Sequence, residues 1–219
     1  MNNDISESEV IPLLQKQQGG NTLGIYLNPV PIIKPIIKSW GRALYPQEYI
    51  MLRNAASQKH QVNLDVLLTT GLRYVEAVWV QKHPECYDKY RKFIHLPAGV
   101  EKKKKQVFKE RDIKLSDYSC MQMEHFFDKK SKLPTRDSWT DNLKMWATKA
   151  GVSTEKLSAK TTRKTCVSWL VHLYPNSQLR IFLQLGHTMS MSVEHYLALS
   201  FVEQDKIQMK IFFGENLFR

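Results

Sequence analysis

The spacing of hydrophobic positions changes twice along the chain. From Pro46 onward, apolar residues recur at the three- and four-residue intervals that are typical of an amphipathic helix. The first stripe contains Tyr49, Leu52, Ala55 and Ala56, and the second starts with Leu64, Leu67 and Leu68. We expect Gly71 to end the second helix, because glycine readily adopts positive φ. Two helices are therefore predicted, with Arg73 just beyond the second.

Residues 91–116 show a partly alternating pattern instead. The segments "KFIHLP" and "QVFKERDIKLS" contain many strand-favouring residues, and they flank the sequence "AGVEKKKK". This pattern predicts a β-hairpin whose connection carries the lysines. A run of like charges is most often a solvated turn, so the lysines alone do not indicate a reaction centre.

Helical spacing returns after residue 116. Four more helices are predicted in the segments "SDYSCMQMEHFFDKK", "SWTDNLKMWATKAGV", "SAKTTRKTCVSWLVHLY" and "FVEQDKIQMKIFF". In the third segment, Lys160 and Arg163 share one face. The inward positions of that segment are Cys166, Val167, Trp169, Leu170 and Leu173. The predicted fold class is mainly α with a small antiparallel β-sheet, an α+β fold.

The last predicted helix has two open interpretations. Its apolar residues are Phe201, Val202, Ile207, Met209 and Ile211. An apolar face of this size does not remain in water. Residues 201–213 therefore either close the core of their own chain or dock on a neighbouring copy, and the sequence does not choose between the two.

The first 44 residues differ from the rest. They contain four of the nine prolines, the polar sequence "MNNDISESEV" and the run "QKQQGGN". Proline interrupts helices, and glycine-containing polar runs are typical of linkers. We expect residues 1–44 to be a proline-rich arm or linker, and residues 45–219 to form the main domain.

Composition limits the class of protein. With 219 residues and 42% hydrophobic content, the chain can bury one sizeable core. We expect a soluble, intracellular protein, because no stretch matches a membrane span or a signal peptide. Three scattered cysteines indicate a reducing compartment. A zinc site from His83, Cys86, Cys120 and His125 is disfavoured by the 34 residues that separate the two pairs, and no metal or other cofactor is expected.

The net charge of +11 favours a polyanionic partner. Each Lys or Arg placed against a phosphate releases condensed counterions, so a balance this basic is typical of nucleic-acid binding. A basic surface that is only solvated is the alternative, which charge alone does not exclude.

The reactive side chains exclude several kinds of site. The sequence has no paired carboxylates suited to two-metal hydrolysis, no GxxxxGK(S/T) loop and no Gly-x-Ser-x-Gly elbow. What remains is a concentration of Arg, Lys and His that ends in a tyrosine. This set suits metal-free phosphoryl transfer, because guanidinium groups and His can hold phosphate oxygens, Lys can protonate a departing alkoxide, and Tyr can act as nucleophile.

Four motifs occur in the order and spacing of the tyrosine recombinases, also called phage-type integrases, which the chain resembles over about residues 45–213. They are "TTGLRYVEA" with Arg73 and Glu76, "KTTRKT" with Lys160 and Arg163, "LGHT" with His187, and "HYLAL" with Tyr196. His187 follows Arg163 by 24 residues, and Tyr196 follows His187 by nine. The family normally has His where Lys160 stands. This replacement and "RKTCVSWL" after it are similar to archaeal and archaeal-virus members.

The resemblance implies a role for each motif residue. Tyr196 is implied as the nucleophile, and Glu76 as a support for Arg73. The charge that develops on phosphate is expected to be held by Arg73, Arg163, His187 and Lys160. The family also uses a lysine of its β-hairpin, for which Lys104 is favoured here, with Lys103 next. The residues expected to contact DNA phosphates are Lys102, Lys103, Lys105 and Lys164.

The resemblance also implies a function. It is that of a site-specific recombinase, which cleaves and rejoins DNA through a 3′-phosphotyrosyl intermediate to integrate or excise a mobile element. The expected partners are double-stranded DNA and further copies of the chain, as a dimer or tetramer on DNA in the host cytoplasm. The family's separate helical DNA-binding domain has no counterpart in residues 1–44, so the sequence corresponds to a catalytic fragment or a small integrase. Two alternatives remain, a type IB topoisomerase-like DNA relaxase and a catalytically inactive DNA-binding protein.

Overall fold

The computed structural model describes residues 34–38, 41–100, 110–128, 132–186, 199 and 201–218. The helices are α1 (Pro46–Ala55), α2 (Gln58–Thr70), α3 (Tyr74–Val80), α4 (Asp117–Phe126), α5 (Arg136–Lys149), α6 (Thr161–Leu173), α7 (Gln178–Leu185) and α8 (Glu203–Phe213). The strands are β1 (Ile36–Lys38), β2 (Gly41–Ala43), β3 (Tyr87–Asp88), β4 (Phe93–Leu96) and β5 (Arg111–Lys114). No helix among the described residues is long and apolar enough to cross a membrane.

Helix α6 lies at the centre of the core. It packs against α2, α7, α8 and β2. The predicted inward residues Cys166, Val167, Trp169 and Leu170 are fully buried, whereas Leu173 is only partly buried. The Trp169 ring makes an edge-to-face contact with Tyr49 of α1, with the ring centroids 5.8 Å apart. Arg163 therefore belongs to the central helix of the core.

The predicted hairpin is confirmed at both of its strands. Strands β4 and β5 pair antiparallel, with Leu96 opposite Arg111 and Ile94 opposite Ile113. Strand β3 pairs with the other edge of β4 and completes a small three-stranded sheet. The connection that carries Lys102, Lys103, Lys104 and Lys105 lies outside the described residues.

Residues 36–38 and 41–44, at the end of the predicted arm, form β1, β2 and the turn before α1. They belong to a compact unit that extends over Ile32–Arg219. Arg42 is fully buried, and its Nη2 donates to Oε1 of Glu48 at 2.5 Å. The carbonyl of Leu44 accepts a hydrogen bond from Nε1 of Trp169 at 2.9 Å. The packing of this segment depends on a partner 125 residues away, which local composition does not reveal.

Helix α8 packs against α1, α4 and α6 of its own chain. Its buried face is formed by Met209, Phe212 and Phe213, which are each at most 1% exposed. Val202 and Ile207, which the sequence assigned to the apolar face, are 51% and 36% exposed. The inward face is therefore rotated toward the two final phenylalanines, because they fill the space beside Trp169.

A buried polar cluster connects α1, α2 and α4. Asp65 accepts hydrogen bonds from Oη of Tyr49 at 2.7 Å and from Oη of Tyr118 at 2.8 Å. Arg53 donates to the same carboxylate from Nε at 2.8 Å. Burial, and then the charge of Asp65, raises the pKa of both tyrosines well above their ordinary value. Both phenols therefore remain protonated donors, and the cluster braces the helix that ends just before Arg73.

Candidate functional site

The carboxyl end of α7 receives three arginines from three different parts of the chain. The last carbonyl groups of a helix have no partner within the helix, and positive charge is favourable there. Three consecutive carbonyl oxygens accept a hydrogen bond from one guanidinium each: Gln184 from Arg111, Leu185 from Arg163, and Gly186 from Arg73. We call these three side chains the arginine cluster.

Arg73 enters the cluster from the turn between α2 and α3. Its backbone N–H donates to Oε2 of Glu76 at 2.8 Å, which caps the first turn of α3. Its Nη1 donates to Oε1 of the same carboxylate at 2.8 Å, and its Nη2 donates to the carbonyl of Gly186 at 3.1 Å. The Arg73 side chain keeps 23% of its surface exposed, so solvent-borne ligands can reach it.

Arg163 enters from α6 and is buried. Its Nη1 donates to the carbonyl of Gly71 at 2.6 Å, and its Nη2 donates to the carbonyl of Leu185. Burial, together with repulsion from Arg73 and Arg111, lowers the pKa of Arg163 to about 10, although Glu76 acts in the opposite direction. The guanidinium is thus held between two motifs that are far apart in sequence, "TTGLR" and "LGHT".

Glu76 supplies the negative charge at the centre of the cluster. Its side chain is 2% exposed and lies 2.8 Å from Nη1 of Arg73 and 2.6 Å from Nη2 of Arg111. Burial raises the pKa of this carboxyl group, but the charge and hydrogen bond of Arg111, with the charges of Arg163 and Arg73, outweigh burial and lower it. Glu76 therefore remains ionised and orients the arginines.

Glu76→Gln is expected to make the free energy of unfolding depend less steeply on pH in the acid range. Because the folded-state pKa of Glu76 lies below its ordinary value of 4.5, the carboxylate stabilises the fold above that pH, and the contribution disappears as the pH falls through the lower folded-state pKa. The natural chain should lose free energy of unfolding more steeply between about pH 5 and pH 3 than the variant. Urea unfolding at each pH measures the difference. Glu155→Gln, at an exposed position, is the control, and equal slopes for all three proteins would contradict this role.

The glycine of "TTGLR" is required by both backbone and packing. Gly71 ends α2 in the left-handed region, with φ of 61°. A Cβ at this position would lie 2.4 Å from Cδ2 of Leu185 and 2.9 Å from Sγ of Cys166. Real Cβ atoms do not approach so closely, so the turn that delivers Arg73 packs directly on α6 and α7.

Gly71→Ala is expected to lower the free energy of unfolding by about 2–5 kcal/mol, because left-handed backbone costs roughly 1–2 kcal/mol and overpacking adds about 1–3 kcal/mol. Gly151→Ala is the matched control, since Gly151 also has positive φ but a Cβ there would meet nothing within 4 Å. It should lose only the backbone part, about 1–2 kcal/mol. Urea unfolding of both variants checks the difference, and equal losses would show that packing at Gly71 is unimportant.

Lys160 and Lys164 lie at the start of α6. Lys160 is the residue before the first helical turn and is exposed. Lys164 is half-buried, and its Nζ would lie 2.2 Å from a Cβ at Gly41 of β2. Burial, and then the charge of Lys160, lowers the pKa of Lys164. The backbone N–H of Lys160 donates to Oγ of Ser158 at 3.3 Å. Both lysines therefore lie at the amino-terminal end of α6, which also carries Arg163.

The other predicted site residues, His187, Tyr196 and Lys102 to Lys105, lie outside the described residues. Gly186, which directly precedes His187, is the last described residue before this gap. Leu199, which follows Tyr196 by three positions, is the next described residue. The carbonyl of Leu199 lies 2.7 Å from Nε2 of His172 on α6, and Nδ1 of His172 lies 2.8 Å from the carbonyl of Ser168. Leu199 therefore contacts the carboxyl-terminal turn of the helix whose first turn carries Arg163.

Sequence reasoning missed Arg111. It had assigned the segment around this residue to a strand without considering which side chains face inward. Within β5, Ile113 is buried while Asp112 and Lys114 are exposed, so Arg111 has the inward register. That alternation was visible in "RDIK" and could have identified an arginine directed toward the interior.

Within the described residues, no group of three or more His, Cys, Asp or Glu side chains is arranged to hold a metal ion. Cys166 is fully buried in the core, and burial raises its pKa to about 12.

No protein-family model matches the chain, and no curated protein matches it in sequence. Solved structures resemble it in fold. The crystal structure of XerA recombinase matches 84% of this chain with a TM-score of 0.52 and 17% identity. The Tn1549 transposon integrase matches 93% of this chain in two complexes, one with transposon right end DNA (TM-score 0.55, 15% identity) and one with circular intermediate DNA (TM-score 0.54, 16% identity).

The match covers 65% of the XerA recombinase chain and 75% and 76% of the two Tn1549 integrase chains. At these identities the likeness shows the fold. The predicted fold class is confirmed: the protein is mainly α with small antiparallel sheets, and its fold is that of tyrosine recombinase catalytic domains.

Proposed function

We propose that the protein is a site-specific DNA recombinase that cleaves and rejoins DNA strands through a 3′-phosphotyrosyl intermediate. The observation that carries the proposal is the meeting of Arg73, Arg163 and Glu76 at the carboxyl end of α7. The chain continues from this point into "HTMSMSVEHY", which contains the predicted residues His187 and Tyr196. The predicted nucleophile therefore follows the described end of α7 by ten residues in the sequence (196 − 186).

The electrostatics of the cluster suit a phosphodiester. Three guanidinium groups surround one carboxylate, so two positive charges are left unbalanced among these four groups. A phosphodiester brings one negative charge, and more charge develops on its oxygens as a nucleophile attacks. Fixed guanidinium groups in a partly buried pocket stabilise that developing charge more strongly than water does.

The proposed reaction needs no external energy source, because each step exchanges one phosphoester bond for another. The phenolic oxygen of Tyr196 loses its proton to solvent or a neighbouring base and attacks the phosphorus, and the bond from phosphorus to the 5′-oxygen breaks. Lys104, with Lys103 as the alternative, gives a proton to the leaving oxygen, which becomes a 5′-hydroxyl. Arg73, Arg163, His187 and Lys160 hold the non-bridging oxygens. A 5′-hydroxyl from the same or another strand then attacks the phosphotyrosine and reverses the step.

Double-stranded DNA is the proposed partner. The net charge of +11 favours a polyanion, and the Tn1549 integrase, which has a similar fold, was solved in complexes with DNA. Lys164 and the hairpin lysines Lys102, Lys103 and Lys105 are proposed to contact phosphates beside the reacting one. Exchange of strands between two duplexes further requires self-association on DNA, as a dimer or tetramer. The closer likeness to archaeal and archaeal-virus members remains a prediction from Lys160 and the residues that follow it.

A trapping experiment tests the function without knowledge of the target site. The full chain is incubated with a pool of duplexes that have a randomised core and a nick, so that the short cleaved end diffuses away and the covalent product accumulates. Denaturing electrophoresis should reveal a protein–DNA adduct, and sequencing of the attached DNA should reveal a preferred site. Adduct formation should weaken as salt is raised, because phosphate contacts release counterions.

The outcomes separate the proposal from its alternatives. Absence of any adduct at low salt, with DNA binding retained, would leave a catalytically inactive DNA-binding protein. Adducts without sequence preference, together with relaxation of a supercoiled plasmid by the monomer, would indicate the topoisomerase-like relaxase instead. Recovery of one site and joining of strands from two duplexes supports the recombinase.

A further inference from the structure

Arg111 has no role in the resemblance on which the function is proposed, yet it occupies the centre of the site. It begins β5, and its side chain is 10% exposed. Its Nη2 donates to Oε1 of Glu76 at 2.6 Å, and its Nε donates to the carbonyl of Gln184 at 3.0 Å. One guanidinium therefore joins the hairpin, the start of α3 and the end of α7.

The guanidinium of Arg111 also lies directly on Gly186. A Cβ at Gly186 would be 3.3 Å from Cζ of Arg111 and 3.4 Å from its Nε and Nη1. Gly186 itself has φ of 62°, which favours glycine. The glycine of "LGHT" thus permits both the left-handed turn and the close approach of Arg111. The conformation of the residue directly before His187 is fixed from two sides, by Arg111 against its α-carbon and by Arg73 at its carbonyl.

Arg111 adds a third guanidinium to a pocket that already holds Arg73, Arg163 and the carboxylate of Glu76. Its charge holds Glu76 ionised and contributes to the lowered pKa of Arg163. A hairpin could be anchored by an apolar residue at this inward position, as Ile113 is two residues later. Arg111 instead adds positive charge and donates hydrogen bonds both to α3, at Glu76, and to the end of α7, at Gln184.

We propose that Arg111 is a positioning residue for DNA cleavage: it holds the carboxyl end of α7, up to Gly186, in register with Glu76 and Arg73. The inference rests on the proposed function for its catalytic consequence, but the placement of α7 by Arg111 is separable from it.

Three variants test the proposal. Arg111→Lys retains the charge but cannot donate to Glu76 and Gln184 with one planar group. Arg111→Met retains the aliphatic packing and loses charge and donors. Lys114→Met is the matched control, because it removes a positive side chain from an exposed position of the same strand, and its contact with Gln184 is made by the backbone.

The first readout is the rate of adduct formation at saturating DNA, measured beside DNA affinity and the thermal midpoint of unfolding. Both Arg111 variants should lose about 10- to 100-fold in rate at unchanged DNA affinity, because a displaced catalytic group costs rate rather than binding. Lys114→Met should keep the natural rate. A rate that survives in Arg111→Lys, or that falls only in proportion to DNA affinity, would overturn the proposal and leave Arg111 as a structural anchor.

The second readout does not depend on catalysis. Amide hydrogen exchange in the peptide covering residues 180–190 should be at least about tenfold faster in both Arg111 variants than in Lys114→Met, because a charge-assisted hydrogen bond that closes this turn is lost. If the natural chain forms no adduct, the proposed function fails, and this measurement still decides the positioning role. Unchanged exchange in the Arg111 variants would overturn it.

Discussion

Tyr196→Phe is expected to form no covalent adduct with DNA while it binds DNA as tightly as the natural chain. Phenylalanine retains the ring but has no oxygen to attack phosphorus, so the covalent step is lost completely rather than slowed. DNA affinity depends mainly on the many Lys and Arg contacts to phosphates, which the substitution leaves in place. Denaturing electrophoresis on the nicked duplex pool measures the first quantity, and a mobility-shift titration measures the second.

The control for Tyr196→Phe is Tyr90→Phe. Tyr90 is 97% exposed in the turn between β3 and β4. The substitution therefore removes one accessible phenol from a residue that does not belong to the arginine cluster. Tyr90→Phe should form the adduct at the natural rate. An adduct that persists in Tyr196→Phe and disappears in Tyr90→Phe would reassign the nucleophile, and an adduct in all three proteins would mean that another side chain attacks.

Arg163→Ala is expected to reduce adduct formation by about 100- to 1000-fold, the usual cost of removing a group that stabilises developing charge. The same change leaves the buried carbonyls of Gly71 and Leu185 without their donor. Each unsatisfied carbonyl costs about 1–3 kcal/mol, so the free energy of unfolding should also fall. Catalysis and stability must therefore be measured together, by single-turnover adduct formation and by urea unfolding.

Two further variants separate the catalytic effect of Arg163 from instability. Arg163→Lys keeps one positive charge in the pocket and can donate to one of the two carbonyls, so it should recover part of the stability and little of the rate. Arg180→Ala removes an exposed arginine of α7 and should change neither quantity. If Arg163→Lys restores the natural rate, paired donation by a guanidinium is not needed. If Arg163→Ala is inactive only because it no longer binds DNA, Arg163 is a docking residue.

The ends of helices and the positions of strands were predicted most accurately where they depend on neighbouring residues in the sequence. Gly71 ends α2 with φ of 61°, and Gly151 follows α5 with φ of 69°, as expected of glycines at the ends of apolar stripes. The strands of the hairpin were also correct, because their alternation reports which residues are buried. In each of these cases the signal is confined to neighbouring residues, so the sequence alone is enough.

Predictions were less accurate where burial depends on distant partners. Arg42 is fully buried, and it donates hydrogen bonds to Glu48 and to the carbonyl of Glu155. The composition of the proline-rich segment around Arg42 does not predict these partners. The inward face of α8 includes Phe212 and Phe213 because they meet Trp169, whereas Val202 and Ile207, which are among the apolar residues of the predicted segment, are largely exposed. Short helices tolerate several rotations about their axis, and only the receiving surface selects one of them.

By itself, the sequence determined the helical class of the fold, the hairpin, and the reactive residue types with their order along the chain. Tertiary structure alone decided that Arg73, Arg111 and Arg163 would meet on consecutive carbonyls of one helix end. The physical reason is that spacing constrains only residues within a turn or a strand pair, whereas Arg73 lies 113 residues from the carbonyl of Gly186 to which it donates. Their meeting depends on packing around α6 and on the need of α7 for donors at its carboxyl end.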